Sequence, residues 1–177
     1  MMELSTSEGL VLVVVASPAD AVALAPLGVR RPADGPSGVL VATGADPMTV
    51  DEALDSLGAL AGHVLLDRSL DDVDGPAATL AVLLPRLHDL FVEARPVGVV
   101  VRGGSTAAFA AAQSAVWRGI PVAHVPAPEE TGPALPTQAA VAALVAWQRA
   151  VAGSSTTAVA VLQRLVGRLV PPPALSV

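Results

Sequence analysis

No cysteine, lysine, tyrosine or asparagine occurs anywhere in the 177 residues, and the aromatic side chains are only Phe91, Phe109, Trp117 and Trp147. The missing cysteine excludes thiol catalysis, disulfides and cysteine-ligated zinc or iron–sulfur centres. The missing lysine excludes Schiff-base chemistry and the phosphate-gripping lysine of a P-loop. All ten basic residues are therefore arginine. A GC-rich coding bias accounts for that pattern, and its chemical consequences hold whatever the cause. The arginines are scattered and the net charge is −6, whereas a nucleic-acid binder needs a basic stripe to release counterions, so no nucleic-acid partner is expected. The apolar runs Leu10–Ala16 and Ala139–Trp147 fall far short of the roughly 20 residues that span a bilayer. Met1–Gly9 is too acidic and polar for a secretory signal. No membrane association is expected, and the cytoplasm is the expected location.

What is present is a surplus of small apolar residues. With 53% of the chain apolar and so few aromatics, the core must be alanine, valine and leucine, which let helices pack closely on strands. A chain this long suits one domain, able to bury roughly 70% of its unfolded surface. The expected division is a loose segment over residues 1–9, one domain over 10–170, and a proline-rich tail over 171–177.

Leu10–Ala16 is a continuous run rich in β-branched residues, the mark of a strand buried on both faces of a parallel sheet. Similar runs recur at Val39–Thr43, His63–Leu66, Val97–Arg102 and Pro121–Val125. Between them lie helical stretches. One covers Ala19–Leu27, and a second starts on a Thr49/Glu52 capping box and runs to about Ala61. A third opens at Asp74-Gly75-Pro76 and runs to Ala94, with Pro85 expected to bend or break it. A fourth starts at Ser105 and ends at Gly119. Alternating strands and helices give βαβ units, hence an α/β fold: a doubly wound parallel sheet of about five strands with helices on both faces, Rossmann-like. Beyond the fifth strand, Pro126–Pro136 reads as a rigid loop, followed by helices over Thr137–Ala152 and Ser154–Leu169. The last is amphipathic, with Ala158, Val159, Leu162, Leu165, Val166 and Leu169 on one face and Gln163, Arg164 and Arg168 opposite. The helix before it and Ala107–Val116 are apolar nearly all round, which implies either thick layering or contact with another chain.

Ligands of open parallel sheets bind beyond the carboxyl ends of the strands. Three segments fall there: Ala16-Ser17-Pro18-Ala19-Asp20, Arg102-Gly103-Gly104-Ser105-Thr106, and His124-Val125-Pro126 with its loop. The second is the best anion site on physical grounds. Its glycines let backbone approach a ligand, the helix beginning at Ser105 offers unpaired N–H groups, and Arg102 adds a two-pronged donor. The same residues equally serve as a plain turn with a serine cap, and Arg102 could instead pair with an acid such as Glu130. His124 suits a hydrogen-bonded scaffold role, or an acid–base role with Glu129 or Glu130. His63 and His88 have no metal-ligand spacing. Asp67–Asp74 reads as a solvated acidic loop, with an oxygen-ligated calcium site as the second reading. No metal or other cofactor is expected.

Val97–Gly132, reading VGVVVRGGSTAAFAAAQSAVWRGIPVAHVPAPEETG, resembles the core of the UDP-N-acetylglucosamine 2-epimerase family, whose corresponding motifs are V-H-G-D-T-T and I-P-V-x-H-V-E-A-G-L-R-T-G. Ala16–Leu27, reading ASPADAVALAPL, is similar to that family's G-T-R-P-E-A-I-K-M-A-P-L. The resemblance extends from about Val11 to Leu165. It implies the amino-terminal Rossmann-like half of a two-domain GT-B fold, with a UDP-sugar or other anionic small molecule as ligand. The second domain, which holds most nucleotide contacts in the family, has no counterpart here.

The departures fall on the chemistry. The family's aspartate in G-D-T corresponds to Gly104, its glutamate in H-V-E-A-G to Pro126, its lysine before M-A-P-L to Ala23, and its arginine in L-R-T to Glu130. Arg-Pro-Glu is reduced to Pro18-Ala19-Asp20. His124, Thr131, Gly132 and the hydroxyls of Ser105 and Thr106 remain. A positioned acid or base is worth about 10²–10⁴ in rate, so losing several leaves no route to epimerisation by this chain alone. The expectation is a degenerate epimerase-like domain acting as a binding or partner subunit, in a homodimer or with a partner protein chain. The alternatives are one subunit of a split sugar-nucleotide enzyme, or a repurposed enzyme using His124 with Glu129 or Glu130.

Overall fold

In the computed structural model, which describes residues 9–28, 38–65, 75–128, 135–151, 156–167 and 169, the β-branched runs form five short strands. These are β1 (Val11–Val15), β2 (Gly38–Ala42), β3 (Ala61–Val64), β4 (Gly98–Arg102) and β5 (Val122–Val125). All pair in parallel, in the order β3-β2-β1-β4-β5. Val11 stands opposite Gly38 on one side and Gly98 on the other. The helices between and after the strands are α1 (Pro18–Gly28), α2 (Pro47–Ser56), α3 (Pro76–Ala94), α4 (Thr106–Trp117), α5 (Leu135–Val151) and α6 (Thr156–Val166). The doubly wound parallel sheet read from the sequence is thus the fold.

β1 is buried along its whole length, so it feeds two cores at once. Leu12 and Val14 join Val99, Val101 and Val122 under α3, α4 and α5. Val11, Val13 and Val15 join Leu40, Ala42 and Val100 under α1, α2 and α6. That alternation is the two-residue period of a strand covered on both faces. Helix α4 lies in the middle of its layer, packed on α3, α5 and the sheet. Its alanines 107, 108, 110, 111, 112 and 115 are all buried, as is Ser114. Internal layering therefore accounts for this apolar helix. Helix α5 differs: Val141, Val145 and Gln148 are buried, while Ala139, Ala142, Ala143, Ala146 and Trp147 are exposed. Its apolar outer side is not covered by any described residue.

Helix α6 crosses to the other face of the sheet, where Leu162 and Leu165 are buried as the amphipathic pattern requires. It fits because β4 begins with Gly98: a Cβ there would stand 2.7 Å from Leu162 Cδ2. Gln148 of α5 closes the edge strand. Its Nε2 donates to Ile120 O at 2.7 Å and its Oε1 accepts from Val122 N at 3.2 Å.

Three local expectations need correction. The cap of α2 is Asp46, which accepts from Thr49 N at 3.1 Å and from Thr49 Oγ1 at 2.6 Å, with Pro47 as the first helical residue. The helix therefore starts before Thr49 and stops at Ser56, where Gly58 takes φ +70°, and Ala61 already belongs to β3. Pro85 does not break α3, which is continuous from Pro76 to Ala94. An interior proline costs about 3 kcal/mol, but α3 buries Leu83, Leu87, Leu90 and Phe91, each worth about 1.5–3 kcal/mol. Packing outweighs the lost hydrogen bond. The acidic stretch Asp67–Asp74, Leu66, Glu129, Glu130, Thr131, Gly132, Arg168 and the terminal segments 1–8 and 170–177 lie outside the described residues. No helix among the described residues is long and apolar enough to cross a membrane.

Candidate functional site

The sheet order reverses between β1 and β4. Helices α1 and α2 lie on one face, α3 and α4 on the other. The loops leaving β1 and β4 therefore start toward opposite faces, and the position between them, beyond the carboxyl ends of the strands, is where such sheets form the crevice that usually holds a ligand. Two of the three segments singled out from the sequence flank it, and the third, at the end of β5, adjoins the β4 turn.

Ser17 and Asp20 form the β1 side. Ser17 Oγ accepts from Asp20 N at 3.1 Å and so caps α1, while Ala21 N donates to Ser17 O at 2.9 Å. Asp20 Oδ2 accepts from Ala16 N at 3.3 Å. The chain after β2 supports this turn closely. Gly44, at φ +101°, lies so near Ala16 that a Cβ would stand 2.5 Å from Ala16 O.

Arg102 and the turn after it form the β4 side. Arg102 pairs with Asp20, Nη1 to Oδ1, at 2.7 Å across the crevice, and the two side chains are only 13% and 9% exposed. The arginine singled out as an anion donor is thus held by an acid 82 positions away in the chain. Its guanidinium makes no other hydrogen bond to a described residue. Gly103 takes φ +65°, a left-handed conformation that glycine adopts without strain. Its N–H donates to Val125 O at 3.0 Å, and its carbonyl accepts from His124 Nε2 at 2.9 Å. Because a carbonyl can only accept, His124 carries a proton on Nε2, and its imidazole ties the β4 turn to β5. The structure gives His124 the scaffold geometry weighed in the sequence.

Gly104 serves a different purpose from ligand approach. A Cβ there would stand 2.5 Å from Gln138 Cα, so the backbone of the first described turn of α5 rests directly on this glycine. Ser105 Oγ accepts from Ala108 N at 3.1 Å and caps α4. Ser105 itself is exposed, and Thr106 is half-buried. Ser17, Arg102, Gly103, Gly104, Ser105 and Thr106 are thus brought to one end of the sheet, with His124 behind them.

Sequence reasoning missed the Asp20–Arg102 pair and one further feature. Thr43, directly after β2, is fully buried, and its Oγ1 has no hydrogen-bond partner among the described residues. No group of three or more metal-ligating side chains occurs among the described residues.

No family model matches the chain. No curated protein sequence matches it either. Solved structures do. A UDP-N-acetylglucosamine 2-epimerase structure is 23% identical with a TM-score of 0.64, over 77% of this chain and 38% of that one. The Neisseria meningitidis UDP-GlcNAc 2-epimerase, bound to UDP-GlcNAc, is 19% identical with a TM-score of 0.62, over 92% and 44%. The Methanocaldococcus jannaschii enzyme, in complex with UDP-GlcNAc and UDP, is 14% identical with a TM-score of 0.57, over 92% and 44%. At these identities the likeness establishes the fold, and the chain spans less than half the length of the structures it matches. The five-stranded Rossmann-like fold of this chain is that of a part, less than half, of the UDP-N-acetylglucosamine 2-epimerases.

Proposed function

We propose that this chain is a sugar-nucleotide-binding half-domain without epimerase activity of its own. One observation carries the reading: on a fold shared with enzymes solved with UDP-GlcNAc, Gly104 and Pro126 stand where the resemblance sets carboxylates. The contact of Gly104 with Gln138 adds to this, because α5 now takes the space that a side chain at 104 would need. Contacts from this domain alone lie on one side of a ligand. Binding in the millimolar range, about −4 kcal/mol, is expected.

The test is a titration of isotopically labelled protein with UDP-GlcNAc, followed at the amides of Gly103, Gly104, Ser105 and Thr106, alongside an assay for the manno epimer. Shifts at the turn without epimer formation support the reading. Turnover by the chain alone, abolished by His124→Ala, overturns it and establishes a repurposed enzyme.

A second reading has its own observation. Trp147 is 57% exposed on the alanine side of α5 that no described residue covers, and Trp117 at the end of α4 is 67% exposed. A surface of this kind suits a partner, either a second copy or a separate chain carrying the other half of a split enzyme. Light scattering that gives a monomer at micromolar concentration, with no complex formed alongside a candidate second subunit, removes this reading.

A further inference from the structure

We propose that Asp20 is a built-in occupant of the anion position at Arg102, and thereby the residue that decides which ligand charge the crevice accepts. The inference rests on the reading that the β1/β4 crevice is the ligand site, and it extends that reading to charge selection.

Ser17 already caps α1, so the helix start does not depend on the Asp20 carboxylate. Its contact with Ala16 N is long, at 3.3 Å. The short contact is the one to Arg102, at 2.7 Å, made at the point where the sheet reverses. Carboxylate and phosphate are read by arginine through the same planar fork of N–H donors. Asp20 therefore offers Arg102 what a phosphate-bearing ligand would offer, from a position fixed by the fold.

A tethered competitor acts at an effective concentration of millimolar or more. An external phosphate must therefore displace a carboxylate that never diffuses away. Together Asp20 and Arg102 carry no net charge, so the native crevice favours ligands whose contacts there do not require a free cation. Removing the carboxylate uncovers a largely buried guanidinium with no other hydrogen bond to a described residue, which is a demand for an anion. A pair that merely latched α1 to β4 would lose stability on mutation and gain no affinity.

The experiment compares the wild type, Asp20→Asn, Asp20→Ser and each variant combined with Arg102→Gln. Thermal unfolding and calorimetric titration are run with inorganic phosphate and with UDP, against chloride at equal ionic strength. Phosphate should bind Asp20→Asn or Asp20→Ser at least about tenfold more tightly than the wild type, as expected when a competitor is removed. It should also raise the melting temperature of those variants alone, and Arg102→Gln should cancel both effects. Equal phosphate affinity in the wild type and the Asp20 variants overturns the proposal, as does a gain that survives Arg102→Gln. Failure of both Asp20 variants to fold in either salt also overturns it, since Asp20 would then be a structural requirement. The broader reading is judged separately. UDP binding by the wild type, read at the amides of Gly103 and Gly104, sustains it even if the Asp20 variants gain nothing, whereas absence of UDP binding in every protein removes it.

Discussion

Between β1 and α1 the chain turns on side chains, and between β4 and α4 it turns on backbone. In the first turn Ser17 and Asp20 satisfy each other, Ala16 and Arg102. In the second, Gly103 adopts a left-handed conformation and Gly104 leaves room for α5. Both lie where ligands of parallel sheets are held, and both are engaged by the chain itself. The side-chain turn is closed by an exchangeable ion pair, whereas the backbone turn is closed by packing that no rotamer change can open.

That difference orders the expected effects of mutation. Gly104→Asp, which restores the family's carboxylate, should be the most damaging. Backbone of α5 stands where its Cβ must go, so a loss of about 4 kcal/mol or more is expected, with no epimerase activity gained. Chemical denaturation measures it, and a stable, well-folded Gly104→Asp protein would show that the backbone turn is as adaptable as the other. Arg102→Ala should come next, at about 3 kcal/mol, because it strands a buried carboxylate. A cost below about 1 kcal/mol would mean that solvent, not Arg102, satisfies Asp20.

The two caps sharpen the comparison further. Ser105→Ala should cost about 1 kcal/mol, the usual worth of a serine cap. Ser17→Ala should cost more, because it also loosens the backbone that carries Asp20, and denaturation of the two variants in parallel reads the difference. Thr43→Val should be neutral or slightly stabilising, by up to about 1 kcal/mol, since the hydroxyl it removes has no partner among the described residues. The smallest effect lies away from both turns. Thr49 hydrogen bonds hold the Asp46 carboxyl below its ordinary value. Its contribution to stability is therefore present above the ordinary aspartate range and is lost as the pH falls through the lowered value. An NMR titration of Asp46, compared in wild type and Thr49→Val, checks the sign.

The strands were legible because a strand buried on both faces announces itself as a β-branched run, as Leu10–Ala16 does. The helix ends were less so. Asp46 and Thr49 are both good caps in sequence, and only the register of Pro47 as first helical residue decides between them. Pro85 misleads because a local rule predicts a break that four buried side chains overrule. At the site, the segments that meet were visible from their places after strands. Which charge Arg102 would meet was not, because Asp20 lies 82 positions away and only the fold brings them together. The role of Gly104 was hidden for the same reason: a glycine in a turn looks alike whether it admits a ligand or a helix.

Gln148 gives the far side of the sheet a property that the crevice does not need. Strand β5 is the last in the row, and Ile120 O and Val122 N face away from β4, as an incoming strand would require. The glutamine amide presents one carbonyl and one N–H to that pair, in the manner of a peptide group, so the ladder ends on a side chain instead of on another polypeptide. Edge-to-edge growth, the route by which open sheets aggregate, is thereby blocked at its first two hydrogen bonds. In a chain so rich in alanine, valine and leucine, one polar residue on a largely apolar helix thus guards the β5 edge.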